Sequence, residues 1–169
     1  MLERGILDED EPVELLEGDL VLMSPQSPRH SVTTEEIAGI LQTVFGAGFF
    51  VLRHSSIKLS AESLPEPDVT VVRGAARDFR SRYAEPLDIA LVVEISSSTR
   101  LKDRRKATLY ARAGIACYWL VDLDQNRLEV RSGLRSEGEY GLVQILDPGE
   151  RVQVPGTGQE VEVNDVLGL

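Results

Sequence analysis

The chain has 169 residues, of which 42% are apolar and 27% charged, and these values fit one folded domain over residues 1–169. The longest apolar run, Ile115–Val121, is too short to span a bilayer, and the acidic N-terminal segment lacks the basic and apolar regions of a signal peptide. The net charge of -10 disfavours a protein that coats nucleic acid through bulk electrostatics. Because Cys117 is the single cysteine, we also predict a cytoplasmic protein.

The first half of the chain predicts a hairpin, a helix and two strands. Apolar residues between Leu15 and Leu22 flank Glu17-Gly18-Asp19, a pattern typical of two short strands joined by a tight turn. The segment His30–Phe45 spaces its apolar residues by three and four, which predicts an amphipathic helix ending before a glycine. Strands are predicted at Phe49–Leu59 and, after two prolines, at Asp68–Val72.

The middle of the chain predicts a strand, a helix and a second strand. Ile89–Ile95 is almost entirely apolar, as expected of a strand covered on both faces. The hydroxyl run at residues 96–99 is suited to a turn or helix cap, Asp103–Ala113 to a helix closed by Gly114, and Cys117–Val121 to an apolar strand. This order predicts a βαβ crossover with parallel strands.

The last third predicts further strands. Asn126–Arg131 follows a turn and is suited to a hairpin partner of the preceding strand, while Leu142–Leu146 and Val161–Val163 predict short strands of a C-terminal β extension. We therefore predict an α/β fold with a mixed β-sheet and flanking helices.

Charge is distributed unevenly along the chain. Residues 1–19 hold one basic residue against eight acids, whereas residues 100–112 hold six basic residues against one acid. The basic stretch fits either a solvated helix face or a local surface that receives an anion such as phosphate.

Two carboxylates and a lysine are the leading candidates for chemistry. Asp68 opens one predicted strand, and Glu94 lies near the end of an apolar strand, where an ionised side chain is costly unless it is paired or bound to metal. If both acids meet at one sheet end, their repulsion favours a hard divalent cation such as Mg²⁺. Lys106, on the following helix, lies four residues before Tyr110 on the same face and can reach back over that end.

Structural roles for these three residues remain open at this stage. Asp68 also fits a turn cap, and Lys106 a solvated position. Glu94 also fits an ion pair with one of three arginines, Arg100, Arg104 or Arg105.

The strings that carry these residues resemble the Uma-two family, which is also filed as a domain of unknown function within the PD-(D/E)xK restriction-endonuclease-like superfamily. The likeness extends in order over nearly the whole chain to about Arg131. It rests on VELLEGDLVLMSPQSPRH (residues 13–30), LRHSSIKLS (52–60), EPDVTVV (66–72), LVVEISSSTR (91–100) and KATLYARAGIACYWLVD (106–122).

This resemblance implies a core of helix, three strands, helix and strand, and an endonuclease that uses Mg²⁺ or Mn²⁺. It implies that Asp68 and Glu94 hold the metal, with the backbone carbonyl of Ile95 as a further ligand. The superfamily's usual lysine two residues after Glu94 is replaced by Ser96, and Lys106 is the matching candidate. By analogy, the substrate is a nucleic acid, expected to be DNA bound through a local basic surface, and the protein forms a homodimer.

Several polar residues are auxiliary candidates. Glu14 and Glu17 match the acidic hairpin of the family, His30 opens the first helix and could accept a proton or contact phosphate, and Ser96 occupies the usual lysine position. Each also fits a purely structural position. His54, Cys117, Tyr118 and Trp119 are predicted to pack rather than to react.

Two hypotheses from different classes follow. The first is a metal-dependent endonuclease that hydrolyses phosphodiester bonds through Asp68, Glu94 and Lys106. The second is a catalytically silent nuclease-like fold that binds a partner or self-associates, which the substitution by Ser96 and the acidic net charge favour.

Overall fold

The computed structural model describes residues 12–96 and 100–169, and for residues 100–104 it describes the backbone alone. The acidic residues 1–11 and most of the predicted cap at residues 96–99 therefore lie outside the described part. In chain order the elements are β1 (Val13–Leu16), β2 (Asp19–Leu22), α1 (Pro28–Phe45), β3 (Phe49–Arg53), β4 (Val69–Arg73), β5 (Ile89–Ser96), α2 (Arg100–Arg112), β6 (Tyr118–Asp122), β7 (Arg127–Leu134), β8 (Tyr140–Leu146), β9 (Arg151–Gln153), β10 (Glu160–Glu162) and α3 (Val163–Leu167).

A six-stranded mixed sheet in the order β3-β4-β5-β6-β7-β8 forms the centre of the fold. β5 and β6 run parallel, with Val93 opposite Trp119, and every other neighbouring pair in this sheet is antiparallel. The parallel pair is joined through α2, so the predicted βαβ crossover and α/β fold are confirmed. The C-terminal strands β9 and β10 form a separate two-stranded sheet.

Helices cover the central sheet on both faces. Residues of α1 such as Ile37 and Leu41 belong to a core cluster with Val93 and Trp119, whereas Tyr110 of α2 packs with Val92 in a second cluster. Val92 and Val93 are adjacent in β5 and therefore point to opposite sides. All eight residues of β5 are buried, which explains its continuous apolar sequence. Burial of one such aliphatic side chain contributes roughly 1.5–3 kcal/mol.

The N-terminal hairpin packs near α2. Glu17 and Gly18 adopt positive φ angles of 52° and 87°, the conformation that a two-residue hairpin turn requires. Strand β1 alternates in burial, so Glu14 and Leu16 face inward. Arg105 of α2 donates hydrogen bonds to the Leu16 carbonyl and to Asp19, which attaches the hairpin to the helix.

Helix α1 begins at Pro28, two residues before the predicted start at His30. The Ser27 side chain accepts a hydrogen bond from the backbone N–H of His30, and Pro28 occupies the first turn, where its missing N–H costs nothing. The helix ends at Gly46, whose φ of 64° is unfavourable for other residues.

Several predicted boundaries are wrong, among them the start of α2, which lies at Arg100 rather than at Asp103. The strand predicted at Phe49–Leu59 ends at Arg53, because His54 adopts a φ of 43° and its N–H bonds to the Asp68 carbonyl. Val163 starts α3 rather than ending a strand. Within the part that the structure describes, no helix is long and apolar enough to cross a membrane.

Candidate active site

The candidate residues meet at one end of the central sheet. β4 is antiparallel to β5, with Val69 opposite Val93, so Asp68 before β4 lies beside the end of β5 where Glu94 is found. Lys106 comes from α2, which follows β5. Asp68, Glu94 and Lys106 are only 8%, 6% and 8% exposed. Three ionisable side chains at such low exposure require partners, because desolvation of an unpaired charge is expensive.

The Lys106 ammonium lies between two carboxylates. Its Nζ is 3.1 Å from Oε1 of Glu94 and 2.9 Å from Oε2 of Glu14. Tyr110, one turn further along α2, donates its hydroxyl hydrogen to the same Oε1 of Glu94 at 2.5 Å. Glu14 also accepts the backbone N–H of Glu66 at 3.3 Å. Lys106 and Tyr110 share one helix face and therefore hold Glu94 together.

Burial and charge shift the pKa values of this group in a consistent way. Desolvation raises the pKa of Glu94 to about 7, although the Lys106 ammonium opposes the rise, and the nearby Asp68 charge adds to it. Burial alone would lower the pKa of Lys106, but the charges of Glu94 and Glu14 outweigh it and raise this pKa. The ammonium therefore stays charged at neutral pH, while Glu94 exchanges its proton near neutrality.

Asp68 contacts a different set of partners. Its Oδ2 accepts the backbone N–H of Ile95 at 2.7 Å, and its Oδ1 is 3.3 Å from Nε2 of His30 and 3.6 Å from Nδ1 of His54. The same Nε2 of His30 is 3.1 Å from the carbonyl oxygen of Ile95. Burial alone would lower the pKa of His30, but its hydrogen bond with Asp68 and the charge of Asp68 raise it overall.

The donor atoms at this sheet end fit a hard divalent cation in chemical type. Asp68, Glu94 and the Ile95 carbonyl supply oxygen atoms, which Mg²⁺ and Mn²⁺ prefer. The raised pKa of Glu94 reflects repulsion by Asp68 as well as burial, and a bound cation relieves that repulsion. Among the side chains that the structure describes, at residues 12–96 and 105–169, no group of three or more His, Cys, Asp or Glu is arranged to hold a metal ion.

Comparison with known proteins identifies the family of this chain. A family model named Uma2 and described as "putative restriction endonuclease" matches residues 2–164. The chain belongs to the Uma2 (Uma-two) family. Among curated proteins, none matches the chain. The family and its fold indicate a restriction-endonuclease-like nuclease.

A solved structure supports the Uma2 fold independently of sequence. It is a protein from Anabaena variabilis ATCC 29413 described as "a putative nuclease belonging to DUF820", with a TM-score of 0.80 and 18% sequence identity. The match covers 98% of this chain and 96% of that one. At this identity the likeness shows the fold alone. The predicted restriction-endonuclease-like fold is confirmed.

The auxiliary candidates separate in space. Glu14 and His30, at 5% and 7% exposure, lie in the buried cluster, so neither is the solvated surface residue that its sequence position also allows. Ser96 is buried at the end of β5 and lies on the same side of the strand as Glu94. Glu17 lies outside the cluster, in the exposed hairpin turn, where it pairs with Arg105 and Arg112.

Of the three arginines considered as partners of Glu94, only Arg105 has a side chain that the structure describes. Arg105 binds Glu17 and Asp19 of the hairpin instead. The side chains of Arg100 and Arg104 are outside the described residues. The acidic hairpin thus neutralises most of the described basic side chains of α2. This weakens the prediction that the basic stretch forms the nucleic-acid surface.

Sequence reasoning missed two features of this candidate site. His54 was predicted to pack, yet its ring lies near Asp68 and 6.3 Å from the His30 ring. The spacing predicts that Tyr110 shares a helix face with Lys106 but gives it no role. In the structure its hydroxyl donates a hydrogen bond to Glu94. The fully buried Tyr118 and Trp119 and the buried Cys117, whose pKa burial raises to about 11, are core residues.

Proposed function

We propose that this protein is a metal-dependent endonuclease that hydrolyses phosphodiester bonds of nucleic acid, with Asp68, Glu94 and Lys106 as its catalytic residues. The observation that supports this most directly is the convergence of two buried carboxylates and a charged lysine at one sheet end. Burial raises the pKa of Glu94 in this cluster, and carboxylates perturbed in this way are typical of functional sites.

Asp68, Glu94 and the carbonyl of Ile95 would hold the cation. When bound, a divalent cation polarises the phosphate oxygens and lowers the pKa of water beside it. Lys106 supplies a fixed positive charge where the negative charge of the transition state develops. Tyr110 and Glu14 fix the position of that ammonium and of Glu94, so little reorganisation is needed during the reaction. His30 holds Asp68 and the Ile95 carbonyl in one orientation through Nε2.

The test is nicking of supercoiled plasmid DNA with Mg²⁺ or Mn²⁺. We expect the wild type and the control Lys58→Ala, an exposed lysine paired only loosely with Glu85, to nick the plasmid. Lys106→Ala and Glu94→Gln should lose this activity. Because Glu94→Gln removes a buried charge and keeps its shape, it should remain folded, which circular dichroism checks. Nicking by Glu94→Gln at the wild-type rate would refute the proposed site.

Metal binding is measured separately by calorimetry with Mn²⁺. The proposal expects heat from the wild type and none from an Asp68→Ala, Glu94→Ala double variant. Asp88→Ala is the matched control, because it also removes a salt-bridged acid, the partner of Arg82, but not one of the proposed metal ligands. Equal heats from wild type and double variant would remove the metal site.

DNA as the substrate, a homodimer and a cytoplasmic location are further parts of the proposal. Support for self-association comes from β8, an edge strand of the described sheet, which exposes Leu142, Val143 and Ile145. Sedimentation velocity tests this point, and a monomer at all concentrations would contradict it.

A catalytically silent fold is the second candidate. Ser96 at the usual lysine position favours it, as do the protein partners that Asp68 and Glu94 already have. The low exposure of Lys106 counts against a solvated lysine. Metal-dependent nicking that requires Lys106 excludes this candidate.

A further inference from the structure

A cavity of about 630 Å³ lies beside the buried acids. His54 and Glu66 line it, and these residues also belong to the surroundings of Asp68 and Glu14. The segment Phe79–Ala84 also lines this cavity. The volume of the cavity is in the range of sites that bind small ligands. A group bound there lies next to the atoms that the proposed reaction uses.

The segment Phe79–Tyr83 alternates aromatic and basic residues in the order Phe-Arg-Ser-Arg-Tyr. In this segment, Tyr83 is 50% exposed although its ring is large and apolar. Aromatic rings at the surface of a cavity supply faces on which nucleic-acid bases stack.

The wall of the cavity is held in place by paired residues. The Arg82 guanidinium lies 4.8 Å from the centre of the Phe79 ring and donates two hydrogen bonds to Asp88, at 2.6 and 3.0 Å. These contacts fix Phe79 and use the charge of Arg82. Arg82 is therefore a structural support rather than a free cation.

Arg80 differs from its basic neighbours. Arg82 pairs with Asp88 and Arg77 lies 3.9 Å from Asp78, but among the residues that the structure describes no carboxylate pairs with the exposed Arg80 guanidinium. A guanidinium with free donors binds phosphate in a bidentate manner. Arg80 therefore provides an unpaired positive charge for a phosphate, whereas the described basic residues of α2 are neutralised by acidic partners.

We propose that this cavity binds an unpaired nucleotide of the substrate strand next to the cleaved phosphodiester, with Tyr83 stacking on its base and Arg80 binding its phosphate. The inference rests on the proposed nuclease function for its location beside the reacting bond. The nucleotide is unpaired because a base inside a duplex has both faces covered by its neighbours and cannot stack on a protein ring.

The test is fluorescence anisotropy with a short labelled oligo(dT) strand and with the corresponding duplex, in EDTA so that no cleavage occurs. We expect tighter binding of the single strand. Tyr83→Ala should weaken that binding roughly 5- to 150-fold, whereas Tyr83→Phe should bind like wild type, because stacking needs the ring and not the hydroxyl. Arg80→Ala should weaken binding and lower the slope of log affinity against log salt by about 0.7.

Arg77→Ala is the matched control, since it removes the same charge from the same loop outside the cavity. Its binding should equal that of wild type. Equal affinity of wild type, Tyr83→Ala and Arg80→Ala would overturn the inference, and so would tighter binding of the duplex. Because binding is measured without turnover, an inactive protein that shows the expected pattern keeps this site while losing the proposed nuclease.

Discussion

Glu94 makes the stability of this protein depend on pH in a way that one isosteric substitution can isolate. Its pKa rises from 4.5 in the unfolded chain to about 7 in the folded protein. At about 1.36 kcal/mol per pKa unit, this rise corresponds to about 3 kcal/mol. The native protein holds the Glu94 proton more tightly, so the contribution is present below pH 4.5 and is lost as the pH rises through about 7.

Glu94→Gln keeps the shape of the side chain and removes its charge. We therefore expect the variant to match wild type at about pH 4 and to exceed it by up to about 3 kcal/mol at about pH 8. Lys106 retains Glu14 as its partner in the variant, and Tyr110 retains an acceptor. A catalytic candidate whose removal stabilises the protein is the pattern expected of a site that sacrifices stability for function.

Urea unfolding in EDTA buffer measures this difference, with fluorescence of Trp119 as the signal because it is the single tryptophan and is fully buried. Glu85→Gln is the control, since Glu85 is exposed and makes only a loose pair with Lys58. Its stability curve should run parallel to that of wild type. The reasoning is refuted if Glu94→Gln is less stable than wild type at about pH 8, or if the two curves are parallel.

Three further substitutions probe the same cluster by urea unfolding. Lys106→Met leaves Glu94 without its cation. We expect the free energy of unfolding to fall by about 3–5 kcal/mol at about pH 8 and by less at about pH 5. An unchanged unfolding midpoint would contradict a buried ion pair. Tyr110→Phe removes a donor to that carboxylate and should cost about 1.5–3 kcal/mol at about pH 8, while an equal cost at low pH would count against this role. Burial lowers the pKa of His30, but the contact with Asp68 raises it more. The stabilisation that protonated His30 gives the folded protein is therefore fully present below pH 6.5 and is lost as the pH rises through the folded pKa. His30→Asn should therefore lose more stability at about pH 5.5 than at about pH 8.5, and the reverse order would argue against the Asp68 contact.

Most elements of the fold could be predicted because their signals are local. The spacing of apolar residues in α1, the continuous apolar run of β5 and the turn at Glu17 and Gly18 depend on near neighbours in sequence. The strand after Phe49 was predicted too long because His54 departs from extended geometry to bond with Asp68. A contact between distant residues changes the backbone there, and periodicity cannot reveal it.

The candidate site shows the same division. Asp68 and Glu94 stand out because an acid is unusual at the entrance or end of an apolar strand. Spacing alone did not decide that Lys106 is a partner of Glu94, since several other basic residues lie close to Lys106 in the sequence. Glu14 could have been placed by the alternation of β1, which puts it on the buried side with Leu16.

The order and type of the main elements, the two acids and the family strings were determined by the sequence alone, because each depends on residues within one turn or one strand. Only the tertiary structure decided which charges meet: hairpin, sheet and helix bring Glu14, Glu94 and Lys106 together, and the pairing of Arg105 with Asp19 removes a competing partner. The physical reason is that the energy of a buried charge depends on every group within a few ångströms of it. Those groups come from parts of the chain that only folding makes neighbours.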